Sequence, residues 1–404
     1  MNRIGKVVIC PDKFKGGLSS DKVASAIKAG IDRYLAERTG NNLLFSPEVS
    51  FLNIEMADGG DGSADLFGRL ARAKRVDACV CGPLRNTVQS YYMMSEDVAF
   101  VECAKACGLA MVPDEKRNPL YTTTFGVGQL IRDAIERGAR TVYIGVGGSS
   151  SNDCGTGMLQ GLGFSVGLPD GEMGCGGNLH LAGRVREPSD KTLLEKIKAA
   201  RFIIINDVDN PLCGEEGAAR VYSLQKGADD RMARKLDEDT AGFLSRCGRT
   251  SFSRTDAFEA SLLPGAGTAG GMGFALLHFL GAESISGFEF FGEKLQGLSS
   301  KIAEADLVIS GEGRIDSQSL YGKVVGGCCN ALRSCKDVED KRLWLFCGKG
   351  TLDAEEIASA CGGAGVKLFQ LADIESDMKA RMKREYPLLM QLSYRAAKEL
   401  DTTL

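Results

Sequence analysis

Histidine is scarce in this sequence, with only two among its 404 residues. His278 lies in an apolar segment and His180 in a glycine-rich loop. Neither position suits a histidine-dependent catalytic triad or a histidine-rich metal site. Any acid–base chemistry in this protein therefore falls to carboxylates or lysines.

Long apolar runs and an excess of basic charge are also missing. No run approaches the roughly 18 apolar residues of a membrane span, and the first apolar stretch, residues 7–10, is too short for a secretory signal. The 49 Lys and Arg against 53 Asp and Glu give a formal net charge of −4. We therefore expect a cytoplasmic protein without membrane or nucleic-acid partners, because no surplus of cations is present to neutralise phosphates.

Cysteine is plentiful, but its spacing does not fit a disulfide framework. The 14 cysteines include no C-x-x-C pair, and Cys328 and Cys329 are adjacent. Several others, such as Cys10 and Cys347, sit inside apolar runs. This pattern predicts free thiols that act as small core residues in a reducing compartment.

Three acidic clusters each follow a short apolar run, at residues 10–15, 56–62 and 310–316. An α/β protein places its chemistry in this way, at the carboxyl ends of parallel strands. Strand–helix alternation occupies both ends of the chain, whereas the segments after Arg75 alternate as in an antiparallel sheet. We predict one α/β domain (1–75 with 288–404) that is interrupted by an inserted domain (76–287).

Glycine is abundant, at 51 residues, and clustered. Residues 145–157 combine glycines, three serines and an acid at a strand-to-helix junction, which predicts a phosphate or carboxylate site. Residues 264–271 contain a G-x-G-x-x-G sequence at Gly265, Gly267 and Gly270. A dinucleotide-binding fingerprint needs a preceding strand, and none is predicted there. The segment is therefore predicted to be either a site of close helix packing or a loop that faces a nucleotide. A Walker sequence is absent, since Lys323 is followed by Val324.

The carboxylates indicate the chemistry of the site more specifically than the glycines do. Six acids follow strand-like runs: Asp58, Asp61, Asp153, Asp207, Glu312 and Asp316. Each alone would be a helix N-cap, and two or three of them are expected to be caps. Together they indicate Mg²⁺-dependent phosphoryl transfer, which needs positioning and charge neutralisation. Lys15 and Lys323 are candidate phosphate partners, and Arg314 can pair with a carboxylate or a phosphate.

Eight sequence blocks in this order resemble the type I glycerate kinase family and span nearly the whole chain. They are PDKFKGGLS (11–19), ADGGDGS (57–63), NPLYTTT (118–124), GVGGSSSND (145–153), DVDNPLCGEEGA (207–218), QKGA (225–228), PGAGTAGGMG (264–273) and GEGRIDSQSLYGK (311–323). The chain departs from the family at three positions. Lys13 replaces the usual Ser, Asp61 replaces the usual Glu, and Cys154 replaces the usual Gly.

The resemblance implies ATP- and Mg²⁺-dependent transfer of the γ-phosphate to a hydroxyl of glycerate, usually the 2-hydroxyl. It also implies a Rossmann/flavodoxin-like parallel-sheet domain interrupted by a mixed α/β domain, with a cleft between them. A glycerate 3-kinase or related hydroxy-acid kinase, and a non-catalytic binder of a small acid or nucleotide, remain as alternatives. The sequence does not indicate the oligomeric state.

The resemblance also guides the assignment of roles. Asp58 or Asp207 would position the accepting hydroxyl, with Lys15 on a phosphate oxygen, while Glu312 and Asp316 would hold Mg²⁺. The remaining candidates bind substrate or phosphate: Gly147, Gly148, Ser149, Ser150, Arg314, Lys323, Gly267 and Gly270.

Overall fold

The computed structural model describes residues 3–14, 17–38, 44–320 and 323–402. The chain forms two compact units, the first from Met1–Ala57 with Ser286–Leu404 and the second from Asp58–Ile285. The sequence places the first boundary near residue 75, whereas the structure has it after Ala57. The reason is that the helix following Asp58 packs on the second unit's sheet, where Phe67 stacks on Phe100 with ring centroids 5.3 Å apart.

Eleven strands lie within the described ranges. They are β1 (Ile4–Ile9), β2 (Phe45–Asn53), β3 (Lys74–Cys81), β4 (Thr87–Ser95), β5 (Val98–Glu102), β6 (Thr141–Gly145), β7 (Arg201–Ile205), β8 (Glu283–Ile285), β9 (Leu307–Ile315), β10 (Arg342–Gly350) and β11 (Gly365–Gln370).

The α-helices are α1 (Ser20–Glu37), α2 (Ser63–Leu70), α3 (Ala104–Cys107), α4 (Phe125–Glu136), α5 (Thr156–Leu162), α6 (Lys191–Ala199), α7 (Ala218–Tyr222), α8 (Asp230–Arg246), α9 (Ala257–Ser261), α10 (Thr268–Leu280), α11 (Leu298–Glu304), α12 (Val324–Arg333), α13 (Ala354–Ala360), α14 (Met378–Lys383) and α15 (Glu385–Thr402). Short 3₁₀ turns and a π-helical stretch at Phe288–Lys294 connect some of them.

The first unit is a parallel sheet covered on both faces. Its strand order is β11-β10-β9-β1-β2, and every pairing is parallel. Alternate residues of β1 enter different cores: Val7 packs with α1 and α15, whereas Val8 packs with α11 and α12. Strands buried on both faces are apolar throughout, which is why this sequence shows short apolar runs.

The sequence analysis places the acidic cluster 310–316 after an apolar run, whereas in the structure strand β9 continues through most of that cluster, to Ile315. Beyond Ile309 the strand continues along β10, pairing Glu312 with Cys347. A Cβ atom on Gly311 would lie 2.0 Å from the carbonyl oxygen of Phe346, so only glycine permits this close pairing. The extension carries Glu312 and Arg314 to the carboxyl edge of the sheet.

The second unit has a mixed sheet of order β3-β4-β5-β6-β7-β8. Strands β3 to β5 pair antiparallel, and β5 to β8 pair parallel. Their last residues are in register: Glu102 is opposite Gly145, which is opposite Ile205, which is opposite Ile285. The segments that follow these strands therefore start side by side at one edge. The predicted α/β class, with a parallel sheet and a mixed sheet, is confirmed.

All 14 cysteines are free, and ten of them are buried, which confirms the prediction of core thiols. Within the described residues, no helix combines the length and apolar character needed to span a bilayer.

Helices α4 and α5, which follow two of the blocks that resemble the family, cross at glycines. A Cβ atom on Gly128 would lie 2.0 Å from the carbonyl oxygen of Met158, and one on Gly161 would lie 2.1 Å from that of Phe125. Backbone atoms cannot move aside as side chains can, so the crossing requires glycine on both helices.

We expect Gly128→Ala to lower the free energy of unfolding by about 2–3 kcal/mol, since the added methyl overpacks the helix crossing. Urea unfolding followed by circular dichroism measures this. The matched control is Gly242→Ala on α8, where the nearest atom is Nη1 of Arg246 at 3.0 Å, a side-chain atom that can shift by a few tenths of an ångström. Its stability should be unchanged or rise by up to about 1 kcal/mol. Equal effects in the two variants would contradict the close-crossing argument.

Candidate functional site

Glycine-rich segments meet at the carboxyl edge of the second unit's sheet. The amide of Gly147 donates to the carbonyl of Gly59 over 3.1 Å. A Cβ on Gly59 would lie 2.3 Å from the carbonyl oxygen of Ile205, and one on Gly147 would lie 2.6 Å from Cα of Gly60. A real Cβ could not lie so close to these backbone atoms, so both positions require glycine. They bring the loop that starts at Asp58 against the ends of β6 and β7.

Asp61, on that loop, faces the glycine-rich segment after β6. A Cβ on Gly148 would lie 3.3 Å from its Oδ2 atom. Gly148 is exposed and has φ +76°, a backbone conformation that glycine adopts freely. Asp58 accepts a hydrogen bond from the Gly60 amide at 2.9 Å. Two predicted site segments, 58–62 and 147–149, are therefore neighbours.

Glu102 anchors the first of these loops and was not among the sequence candidates. It is fully buried at the end of β5 and accepts from the amides of Ala64 (2.9 Å) and Gly62 (3.3 Å) at the start of α2. Burial raises the pKa of Glu102, against the opposing effects of these hydrogen bonds and of Lys105, whose Nζ lies 3.5 Å away. An acid that ends an apolar strand is the signal that could have identified it.

The serines after β6 have different roles. The amide and hydroxyl of Ser150 both donate to the carbonyl of Cys107, over 2.8 and 2.9 Å. Its donors are thus used within the fold, and Thr122 donates to its carbonyl at 2.9 Å. Of the four residues predicted here, Gly147 and Ser150 hold the loop in place. Gly148 and Ser149 are left as candidates for binding an anion.

A buried lysine supports Ser149, and sequence reasoning assigned it no role. Lys226 is 3% exposed. Its ammonium donates to Oγ of Ser149 at 3.1 Å and to the carbonyl of Ser151 at 2.7 Å. Burial lowers the pKa of Lys226 to about 8. Lysine is usually exposed, so only the structure reveals a buried cation at this edge.

In the first unit, the candidates collect at the end of β9. Oε2 of Glu312 lies 3.6 Å from Nζ of Lys323, the residue before α12, and Nε of Arg314 lies 3.4 Å from Oδ2 of Asp316. Burial raises the pKa of Glu312, and Lys323 and Ser319 oppose that rise. Oε1 of Glu312 is buried and has no hydrogen-bond partner in the described part of the chain. Lys15 lies outside the described residues.

Comparison with known proteins identifies the family of this chain. The model of the glycerate kinase family matches residues 7–401. Glycerate 2-kinase of Escherichia coli is 38% identical over 81% of this chain and 82% of its own length, and glycerate kinase of Halalkalibacterium halodurans is also 38% identical over 81% and 82%. A crystal structure described as glycerate kinase 2 from Salmonella typhimurium superposes with a TM-score of 0.71 at 32% identity, covering 100% of this chain and 99% of the other.

The chain belongs to the glycerate kinase family. The resemblance drawn from the sequence blocks is confirmed over nearly the whole chain. Membership makes the protein a kinase and implies ATP as the phosphoryl donor.

Asp153 lies in a block that carries the family resemblance, and its contacts are those of a cap. Its carboxylate is fully buried and accepts from the amide and hydroxyl of Thr124 (2.9 and 2.8 Å) and from the amides of Gly155 (3.1 Å) and Gly157 (3.2 Å). These bonds tie the starts of α4 and α5 together. They leave the carboxylate little capacity for a ligand.

The adjacent Cys154 departs from the family pattern at a position where the backbone conformation favours glycine. Its φ is +53°, in the left-handed region that disfavours side chains with a Cβ atom. Glycine, which the family usually has here, adopts that conformation without steric cost. The cysteine is fully buried, and burial raises the pKa of its thiol well above the usual value.

The G-x-G-x-x-G segment is a packing element in this structure. The residues before it form α9, which confirms that no strand precedes it. A Cβ on Gly267 would lie 2.3 Å from the carbonyl oxygen of Pro211, and one on Gly270 would lie 2.1 Å from that of Ser151. The loop therefore packs against the segments that follow β6 and β7. The second of these segments carries Asp207, which is half-buried.

We expect Asp153→Asn to lower the free energy of unfolding by about 2 kcal/mol, because the new amide presents N–H groups to donors that then lose their acceptor. Urea unfolding measures the loss. Asp190→Asn is the control: Asp190 caps α6 by accepting from Thr192 at 2.9 Å, and asparagine caps a helix as well as aspartate does. A stability loss confined to Asp153→Asn supports the capping role, and wild-type stability of that variant contradicts it.

Proposed function

We propose that this protein transfers the γ-phosphate of ATP to the 2-hydroxyl of glycerate, with Mg²⁺, to give 2-phosphoglycerate and ADP. Support comes from family membership and from the name of the Escherichia coli relative, glycerate 2-kinase. The observation that carries the proposal is the close approach of the Asp58 loop to Gly147 and Gly148. Because all its cysteines are free, we place the reaction in a reducing, cytoplasmic environment.

In the second unit, Asp58 or Asp207 would accept the hydrogen bond of the attacking hydroxyl and so position it. Phosphoryl transfer proceeds through a loose transition state that asks little of a strong base, so orientation is the main requirement. Gly148 and Ser149 would bind an anionic group of a substrate.

In the first unit, Glu312 and Asp316 fit a Mg²⁺ site. Oε1 of Glu312 is a buried acceptor that no donor among the described residues satisfies, and a hard cation prefers such an oxygen. The described ranges hold no group of three metal-binding side chains. Mg²⁺ is usually held by one or two carboxylates, water and phosphates, so Glu312 and Asp316 would suffice. When bound, the ion would neutralise developing charge on the phosphates.

Lys323 and Arg314 would assist from the same edge. Lys323 lies beside Glu312 and would place its ammonium on a phosphate oxygen, as the sequence predicted. The Arg314 side chain is 71% exposed, so it can reach a ligand without losing its place on β9. Lys15 keeps its sequence-based assignment to a phosphate oxygen.

The function is tested by incubating the protein with D-glycerate, ATP and Mg²⁺, coupling ADP release to an optical assay and identifying the product by NMR. We expect 2-phosphoglycerate. Formation of 3-phosphoglycerate would replace the proposed regiochemistry with that of a 3-kinase. Binding of glycerate without ADP release would instead indicate a non-catalytic binder.

We expect Glu312→Gln to raise the Mg²⁺ concentration needed for half-maximal turnover by roughly ten-fold, since losing one charge-assisted ligand costs about 1.4 kcal/mol or more. A Mg²⁺ titration at saturating glycerate and ATP measures the change. Glu304→Gln, on α11 and 71% exposed, is the control and should keep the wild-type titration. An unshifted curve for Glu312→Gln would remove Glu312 from the metal site.

A further inference from the structure

Lys226 is a buried cation whose ammonium touches no carboxylate in the described part of the chain. Its ammonium contacts are a hydroxyl and a carbonyl, and no salt bridge joins it to a carboxylate within the described residues. Burying an unpaired charge is strongly unfavourable. Pinning two loops together would not by itself require a charge, because neutral donors also bind carbonyl groups. The charge therefore needs a separate explanation.

The position of Lys226 is fixed by its backbone. The amide of Lys226 donates to the carbonyl of Ser223 at 3.0 Å, and Gly227 follows with φ +95°. A Cβ on Gly227 would lie 2.0 Å from the carbonyl oxygen of Arg117, so this turn is wedged against another segment. The lysine is thus directed inward by the fold, and does not reach out from the surface.

The contact between Lys226 and Ser149 determines which hydrogen bond the serine has left. A lysine ammonium only donates, so Ser149 accepts from it and keeps its own O–H as a donor. Ser149 is next to the exposed Gly148. In the same loop, Oγ of Ser151 and Oδ1 of Asn152 are buried without partners among the described residues. The loop therefore has polar capacity that these parts of the chain do not satisfy.

We propose that the hydroxyl of Ser149 binds the carboxylate of glycerate, and that Lys226 is a positioning residue that orients this hydroxyl and supplies the countercharge. This inference rests on the proposed function. The single positive charge matches the single negative charge of a carboxylate. A triphosphate carries several charges and demands correspondingly more cations.

The main test compares KM values of variants in the glycerate kinase assay. We expect Lys226→Met to raise the KM for glycerate roughly ten- to hundred-fold, the range for losing a charged hydrogen-bonding group, with the KM for ATP unchanged. Lys226→Arg should recover most of the affinity because it keeps the charge. Lys235→Met, at a 55% exposed lysine on α8, is the control and should match wild type.

The pH dependence of the wild type provides a readout that needs no variant. The pKa of Lys226 is lowered to about 8 by burial, and a bound carboxylate favours the charged form. The KM for glycerate should therefore be constant below that pH and rise above it, and Lys226→Arg should flatten the rise. Among the described residues, Cys103, Cys107 and Asp153 act electrostatically on the ammonium, and Arg117, Asp114 and Asp229 lie on segments that adjoin its turn.

Several results would overturn the inference while leaving the proposed function intact. One is a wild-type enzyme whose KM for glycerate is flat between pH 7 and pH 9, about a unit either side of that pKa. Another is a rise in the KM for ATP alone in Lys226→Met, which would assign the charge to phosphate. A third is a loss of stability in Lys226→Met with both KM values unchanged, which would make the lysine purely structural. If Lys226→Met does not fold, the wild-type pH profile decides. Absence of glycerate turnover in the wild type would instead reject the proposed function.

Discussion

The candidate site in the second unit depends on backbone-to-backbone contact between the Asp58 loop and the ends of β6 and β7. The parallel strands end in register, so the segments that follow them start at the same level. Gly59, Gly145 and Gly147 then let these backbones approach to distances at which a Cβ would overlap. Any larger side chain at these positions would push the loop away and move Asp58 and Asp61 with it.

Three buried ionisable groups lie at this edge, and they differ in how far their partners compensate for burial. Asp153 accepts four hydrogen bonds and thereby holds two helices together. Glu102 caps α2 and has Lys105 nearby. Lys226 has only neutral acceptors. A low-dielectric environment makes an uncompensated charge costly. Lys226 has the least compensation of the three, so its charge is the one that a bound ligand would best explain.

Much of the fold was predictable from the sequence, because local patterns determine it. The apolar runs that precede the acidic clusters at residues 10–15 and 310–316 lie in strands β1 and β9, because such runs are buried between other strands. The extension of β9 beyond Ser310 was not predictable. It depends on Gly311 meeting the backbone of Phe346 on another strand, and residues 311–315 alone read as a loop of small and charged residues.

The roles of individual polar residues were harder to predict, because they depend on partners that are distant in sequence. Ser149 and Ser150 look equivalent in the sequence, yet the hydroxyl of Ser150 is used by Cys107, 43 residues away, whereas Ser149 accepts from Lys226, 77 residues away. The hydroxyl of Ser150 already donates within the fold and cannot donate to a substrate as well. The hydroxyl of Ser149 accepts from Lys226, which orients it and leaves its hydrogen available to a substrate. Motif membership therefore locates a binding loop, and the hydrogen-bond partners decide which of its residues can act.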